Sequence, residues 1–364
     1  MSIFVATALL FAQTAHPHTP PSFDAIAAQA AAARDANRMD EAVADYRKGL
    51  KLRPNWDEGW WNLGSITYDQ NKFAECVPAF QRLTALKPDL SPAWIMSGLC
   101  EFSIHDYRSA LKNLLRAEQL HFDGPPELGR AGRLELAMCL TKAGTFERAI
   151  VLLTELTRMD RKTPEISAAA GIAGLRRPLV PSEVPEADRD LVSRLGDAMS
   201  TAMELDQKGA TEKFEAVLAD YPAQPDIHFR FGAFLMQQAP QRGIEEIGKT
   251  LQLEPGHVPA LVGLTMIYLK NDDPKSALEY AERAVTAGPG DFATHVALGR
   301  TLLATDDAAR AADQLRIAVD LAPDSADAHY SLASAYSRLG RKEEAQREQE
   351  EFKRIRKLID ATHQ

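Results

Sequence analysis

Along most of this chain the apolar positions fall in paired stripes at helical spacing, with a short polar turn between the two stripes of each pair. In one stretch Trp60, Leu63, Gly64 and Thr67 make a first stripe, and Phe73, Val77, Phe80 and Leu83 make a second. Steps of three and four residues put each set on one face of an α-helix. The segment between them, Asp69 to Lys72, is wholly polar, so the pattern predicts helix, turn, helix. Near the end the same sentence returns, with Leu332 and Tyr336 one helical turn apart, a break at Gly340 and a helix running into Ala345.

The pattern has a fixed beat. Pro54 and Pro88 stand 34 residues apart, as do Pro255, Pro289 and Pro323 in succession, and Pro222 precedes Pro255 by 33. Small residues keep the same interval, at Ala42, Cys76 and Ala110 and again at Ala210, Ala277, Ala311 and Ala345, with Ile244 standing in one such place. Gly64, Gly98, Gly232 and Gly299 recur at one point of the first helix, where the missing Cβ lets a neighbouring helix approach. A proline closes each unit because it cannot donate the next helical bond and restricts the residue before it. One hairpin cannot bury both of its apolar faces, so such units come in stacks.

Two stretches interrupt the beat. "HFDGPPELG", from His121, lengthens one join, and "RRPLVPSEVPEADRD", from Arg176 to Asp190, holds three prolines and no helical period. Ala149 to Ala210 spans 61 residues, neither one period nor two, so the register breaks between them. Thr163–Leu175 reads as an extra helix closing a first array, and the proline run as a semi-rigid joint to a second. The organisation expected is a signal peptide and tail over 1–22, a first array over 23–175, the joint over 176–190, and a second array over 191–364. The charged last helix, packed through Phe352, Ile355 and Leu358, would serve as a cap.

A hairpin of 34 residues with an aromatic, then Leu-Gly, then Tyr, a small residue mid-unit and a closing Pro resembles the tetratricopeptide repeat (TPR) family. About nine units are recognisable, most clearly the second, seventh, eighth and ninth. The resemblance implies an all-α fold, an alpha-solenoid wound as a right-handed superhelix. It also implies that first helices line a concave groove where a protein or peptide binds. That register assigns to the groove Trp61, Tyr68, Ile95, Phe102 and Met138, then Met199, Phe229, Met236, Met266, Arg300 and Tyr330. Methionines and aromatics there would adapt to an apolar or helical segment, and changing Phe229 and Met236 together to Ser would be expected to weaken capture. The family's well-known clamp for a terminal carboxylate uses Lys, Asn and Arg. This chain offers Ala27, Ala31, Trp61 and Ser65, so that activity is not carried over.

Composition narrows the remaining classes. With 51 Asp and Glu against 42 Lys and Arg the formal charge is −9, a poor balance for neutralising phosphates, and nucleic acid is not an expected partner. The apolar run Ile3 to Ala12 is too short to span a bilayer but has the length of a signal-peptide centre, although it lacks a basic start. Export to a periplasm or the exterior is the expectation, with a cytoplasmic chain as the alternative. Cys76, Cys100 and Cys139 sit at apolar helical positions and read as buried thiols; in an exported chain Cys76 with Cys100 is the pair to test for a disulfide.

No phosphate loop, nucleophile elbow or metal motif occurs, so neither an enzyme nor a cofactor is expected. His228, His295 and His329 occupy in three units the place that Trp60 and Trp94 hold in others, which marks a structural slot. His16 and His18 alone make a weak metal site. The function expected is a non-catalytic interaction scaffold or adaptor. The alternative is a structural subunit of a bacterial envelope assembly (secretion, pilus or polysaccharide export type) docking through its outer face.

Overall fold

The computed structural model describes residues 22–160 and 162–362; the apolar run of the expected signal, with His16 and His18, lies outside them. The described residues form nineteen α-helices and no strand. They divide into two compact units, one up to residue 113 and one from residue 114 on.

The first unit holds α1 (Phe23–Asp35), α2 (Met39–Leu52), α3 (Asp57–Asp69), α4 (Phe73–Leu86), α5 (Ser91–Ser103) and the first half of α6 (Tyr107–Gln119). α1 packs on α2 and α3 on α4, first helix on second within each hairpin. Gly64 shows why the position must be small: a Cβ there would lie 2.6 Å from the Phe80 ring. The hairpin turns place Asn37 and Asn71 in the left-handed region, at φ 58° and 57°, a conformation that Asn tolerates better than most residues. Cys76 and Cys100, both fully buried, are joined as a disulfide that ties α4 to α5. Cys139, in the second unit, is buried.

The second unit opens with α7 (Pro126–Lys142), α8 (Phe146–Asp160), the single helix α9 (Pro164–Gly174), α10 (Arg189–Met203), α11 (Gln207–Asp220) and α12 (Pro225–Leu235). It continues in regular hairpins through α13 (Pro240–Leu253), α14 (Val258–Lys270), α15 (Pro274–Ala287), α16 (Phe292–Ala304), α17 (Ala308–Leu321), α18 (Ala326–Arg338) and α19 (Lys342–Thr362). Asp206, Asp273, Asp307 and Ser325 cap second or first helices by accepting a backbone N–H from inside the helix. In α19 Ile355 is buried and Phe352 half-buried, while Leu358 is exposed, so the expected capping stripe packs only through its first two members.

The break in register is resolved by α10, which packs along α9 on one side and along α11 on the other. Two glycines make the α9–α10 seam. A Cβ on Gly171 would lie 2.1 Å from the Val192 carbonyl oxygen, and one on Gly196 would lie 2.0 Å from that of Ser167. The proline run between these helices lies within the second unit and is packed there: Val180 and Val184 are buried, and two short 3-10 turns cover 181–183 and 186–188.

Candidate functional site

The repeated aromatic and histidine slot has a clear task. Trp60 and Trp94 each donate the indole N–H to the carbonyl of the preceding closing proline, Pro54 and Pro88, at 2.9 Å. His228, His295 and His329 reach Pro222, Pro289 and Pro323 in the same way through Nε2, again at 2.9 Å. Their Nδ1 atoms meet Glu246, Gln314 and Glu348 on the second helix at 2.6 to 2.8 Å. The proline's own carbonyl, in the loop past the helix end, thus finds a partner from the next helix. Burial would raise the Glu246 carboxyl, but hydrogen bonds from Lys249 and His228 hold it below the usual range. These histidines pin turns, and among the described residues no group of three or more His, Cys, Asp and Glu is placed to hold a metal.

The positions assigned to the groove divide by exposure. Ile95, Met199, Phe229 and Met138 are buried, from 0% to 9% exposed, and therefore serve packing instead of offering a free side chain. Phe229 belongs to a cluster with Ile247, Leu251, Leu261 and Leu264, and Met236 packs on its edge. Serine at both would accordingly damage the fold, which makes that pair unsuitable as a test of recognition. Trp61, Tyr68 and Phe102 are half-buried, each edge-on to a ring of its own hairpin: Phe80 at 5.7 Å, Phe73 at 5.4 Å and Tyr107 at 5.2 Å. Met266 is half-buried, whereas Arg300 and Tyr330 are exposed, Tyr330 at 61% with its ring against Phe352. In the second unit α14, α16 and α18 lie side by side, so Met266, Arg300 and Tyr330 come from three adjacent first helices.

A second constellation surrounds α9. Arg230 of α12, 8% exposed, donates two N–H groups to Glu147 of α8 at 2.8 Å and its Nε–H to the Gly174 carbonyl at 3.3 Å. Arg176 adds a bond to Glu147 at 3.3 Å, and His257 sits 3.1 Å from Asp226. Burial alone would raise the Glu147 carboxyl, but Arg230, with Arg176 and His257 nearby, holds it below its ordinary value. On α7 the opposite holds. Glu135 is half-buried with Oε2 enclosed and unpartnered, and loss of hydration pushes its carboxyl up to about 8.

Beside this network is a cavity of about 280 Å³ between α8, α10, α11 and α12. Ile150, Met199, Met203, Phe214 and Phe234 form its apolar wall, and Arg158, Leu205 and Gln238 stand at its mouth. The sequence pattern missed it because Ile150 and Arg158 belong to a helix counted as second in its hairpin. The signal was the 61-residue interval, which brings α8 beside α10.

The described fold is thus a helix-hairpin repeat array, an alpha-solenoid of the kind that serves as a protein-interaction scaffold. The tetratricopeptide repeat family model matches two regions of the chain, residues 27–91 and 296–350. The peroxisomal targeting signal receptor of Eremothecium gossypii is 27% identical over 130 residues, 35% of this chain and 22% of the receptor. That of Candida glabrata is 30% identical over 86 residues, 23% of this chain and 14% of the receptor. The chain therefore spans about a fifth or less of the length of these curated relatives. Among solved structures, MamA from Desulfovibrio magneticus RS-1 aligns at 21% identity and a TM-score of 0.40, covering 46% of this chain and 94% of that one. A double mutant of MamA RS-1 aligns at 20% and 0.42 over the same shares.

Proposed function

We propose that the chain is a non-catalytic adaptor whose second unit binds a protein segment along the layer of first helices α14, α16 and α18. One observation carries this reading: consecutive hairpins place half-buried Met266 and exposed Arg300 and Tyr330 on neighbouring first helices. Each contact contributes little, and affinity accumulates over adjacent units. The test is a photocrosslinker placed in the full chain at Arg300 or Tyr330, and separately at the exposed second-helix residue Glu279. Capture of the same partner from the first two and not from Glu279 supports the adaptor reading. Capture from Glu279 alone would assign recognition to the outer face.

We infer further that the protein works in an oxidising compartment outside the cytoplasm. The Cys76–Cys100 bond supports this, since such bonds persist where thiols are not kept reduced. Mass spectrometry of the native protein decides it: a mature chain starting near residue 16 supports export by cleavage, and intact Met1 overturns it.

A further inference from the structure

We propose that the cavity between α8, α10, α11 and α12 is a peptide subsite taking one bulky apolar side chain together with a neighbouring carboxylate. This rests on the adaptor reading and names the chemistry that one part of the surface recognises. The cavity exists only where the repeat is broken. Because α9 is unpaired in the count, α8 comes to lie beside α10, and Thr157 of α8 meets Met203 of α10 at 3.7 Å. The resulting hollow joins one apolar wall, Ile150, Met199, Met203, Phe214 and Phe234, to a polar rim, and it is close to the smallest ligand pockets, which start at roughly 300 Å³, so that wall suits a single large side chain.

Its charge selects the companion group. The chain as a whole carries −9, yet the cavity mouth is cationic. Arg230 in the floor is committed to Glu147 and Gly174. Arg158 is exposed on the α8 face that also carries Ile150 and Thr154, and it has no ion-pair partner among the described residues. A carboxylate beside the apolar anchor would give Arg158 a bidentate partner.

Leu205 is an independent pointer. It occupies the left-handed place in its turn, at φ 65°, where other turns have Asn37, Asn71, His105, Gly144, Asp272, Asp306 and Gly340. A leucine there is strained, and its side chain is 71% exposed at the cavity mouth. Local stability would favour Asn or Gly, whereas an apolar lip for a bound side chain would favour leucine.

The experiment uses the full chain and a phage-displayed library of random dodecapeptides, with enriched peptides remeasured by fluorescence anisotropy. The expected peptides carry Leu, Phe or Met within four residues of Asp or Glu. Ala233→Trp, which fills the cavity from an exposed lining position, and Arg158→Glu should each weaken them about tenfold. Changing the peptide's acidic residue to Lys should restore binding to Arg158→Glu. Leu205→Asn, which relieves strain in the turn, should weaken binding about threefold without loss of folding. Peptides that bind all three variants like the parent would sink the subsite and leave the adaptor reading standing. Failure to enrich any peptide over a control protein would remove peptide recognition, and the subsite with it.

Discussion

From α14 to α19 the chain closes each hairpin with parts that repeat, whereas between α8 and α12 nearly every contact is made once. In the regular part, His295 and His329 tie closing prolines, Gly299 admits Leu315, and Asp272, Asp306 and Gly340 turn the chain. Around α9, backbone meets backbone at Gly171 and Gly196, and a buried arginine joins three helices. Repetition distributes stability over many equivalent small terms. The junction concentrates it in a few groups with no substitute, and single substitutions separate the two modes.

The largest contrast is between two glycines. Gly196→Ala puts a methyl group 2.0 Å from a carbonyl oxygen of α9, which can yield only if the helices part. The expected loss is about 3 kcal/mol in urea unfolding. Gly299→Ala meets the Leu315 side chain at 2.4 Å, which can turn aside, and should cost about 1 kcal/mol. Equal losses would mean that the junction is no more rigid than an ordinary hairpin.

Two acids give the next contrast. Glu147→Gln leaves the buried Arg230 guanidinium without its counter-charge and should cost about 2 kcal/mol, discounted because Glu147 itself is half exposed. Glu135 acts through pH. Its folded value is raised to about 8 from 4.5, so its contribution is fully present below the unfolded value and is lost as pH rises through the folded one. Between pH 5 and pH 8 the parent should lose roughly 3 kcal/mol on this account, and Glu135→Gln should flatten that slope. A slope unchanged in the variant would assign the pH dependence elsewhere.

The smallest expected effect has the opposite sign. Leu205→Asn should stabilise by about 0.5 kcal/mol, because Asn tolerates the left-handed turn. Thermal unfolding is precise enough to show it when the two chains are compared under one condition.

What the sequence made legible follows from repetition. A residue that returns every 34 positions reveals its role by its company, which is how His228, His295 and His329 could be read as structural from spacing alone. Burial of individual groove positions was less visible: Ile95 and Tyr330 occupy the same first-helix place, directly after Trp94 and His329, yet one is enclosed and the other exposed. The surrounding side chains that decide this differ from unit to unit. The junction was visible only as a broken interval, because Arg230 and Glu147 lie 83 residues apart and no period relates them.

The helix α10, flanked by α9 and α11, also limits how such a chain can change length. Elsewhere, a duplication or deletion of one whole period joins surfaces that already match. A crossover at α10 would strand either the glycine seam or the face that receives α11. Gain and loss of modules is therefore open to the regular hairpins and closed to this one segment, which must be inherited whole.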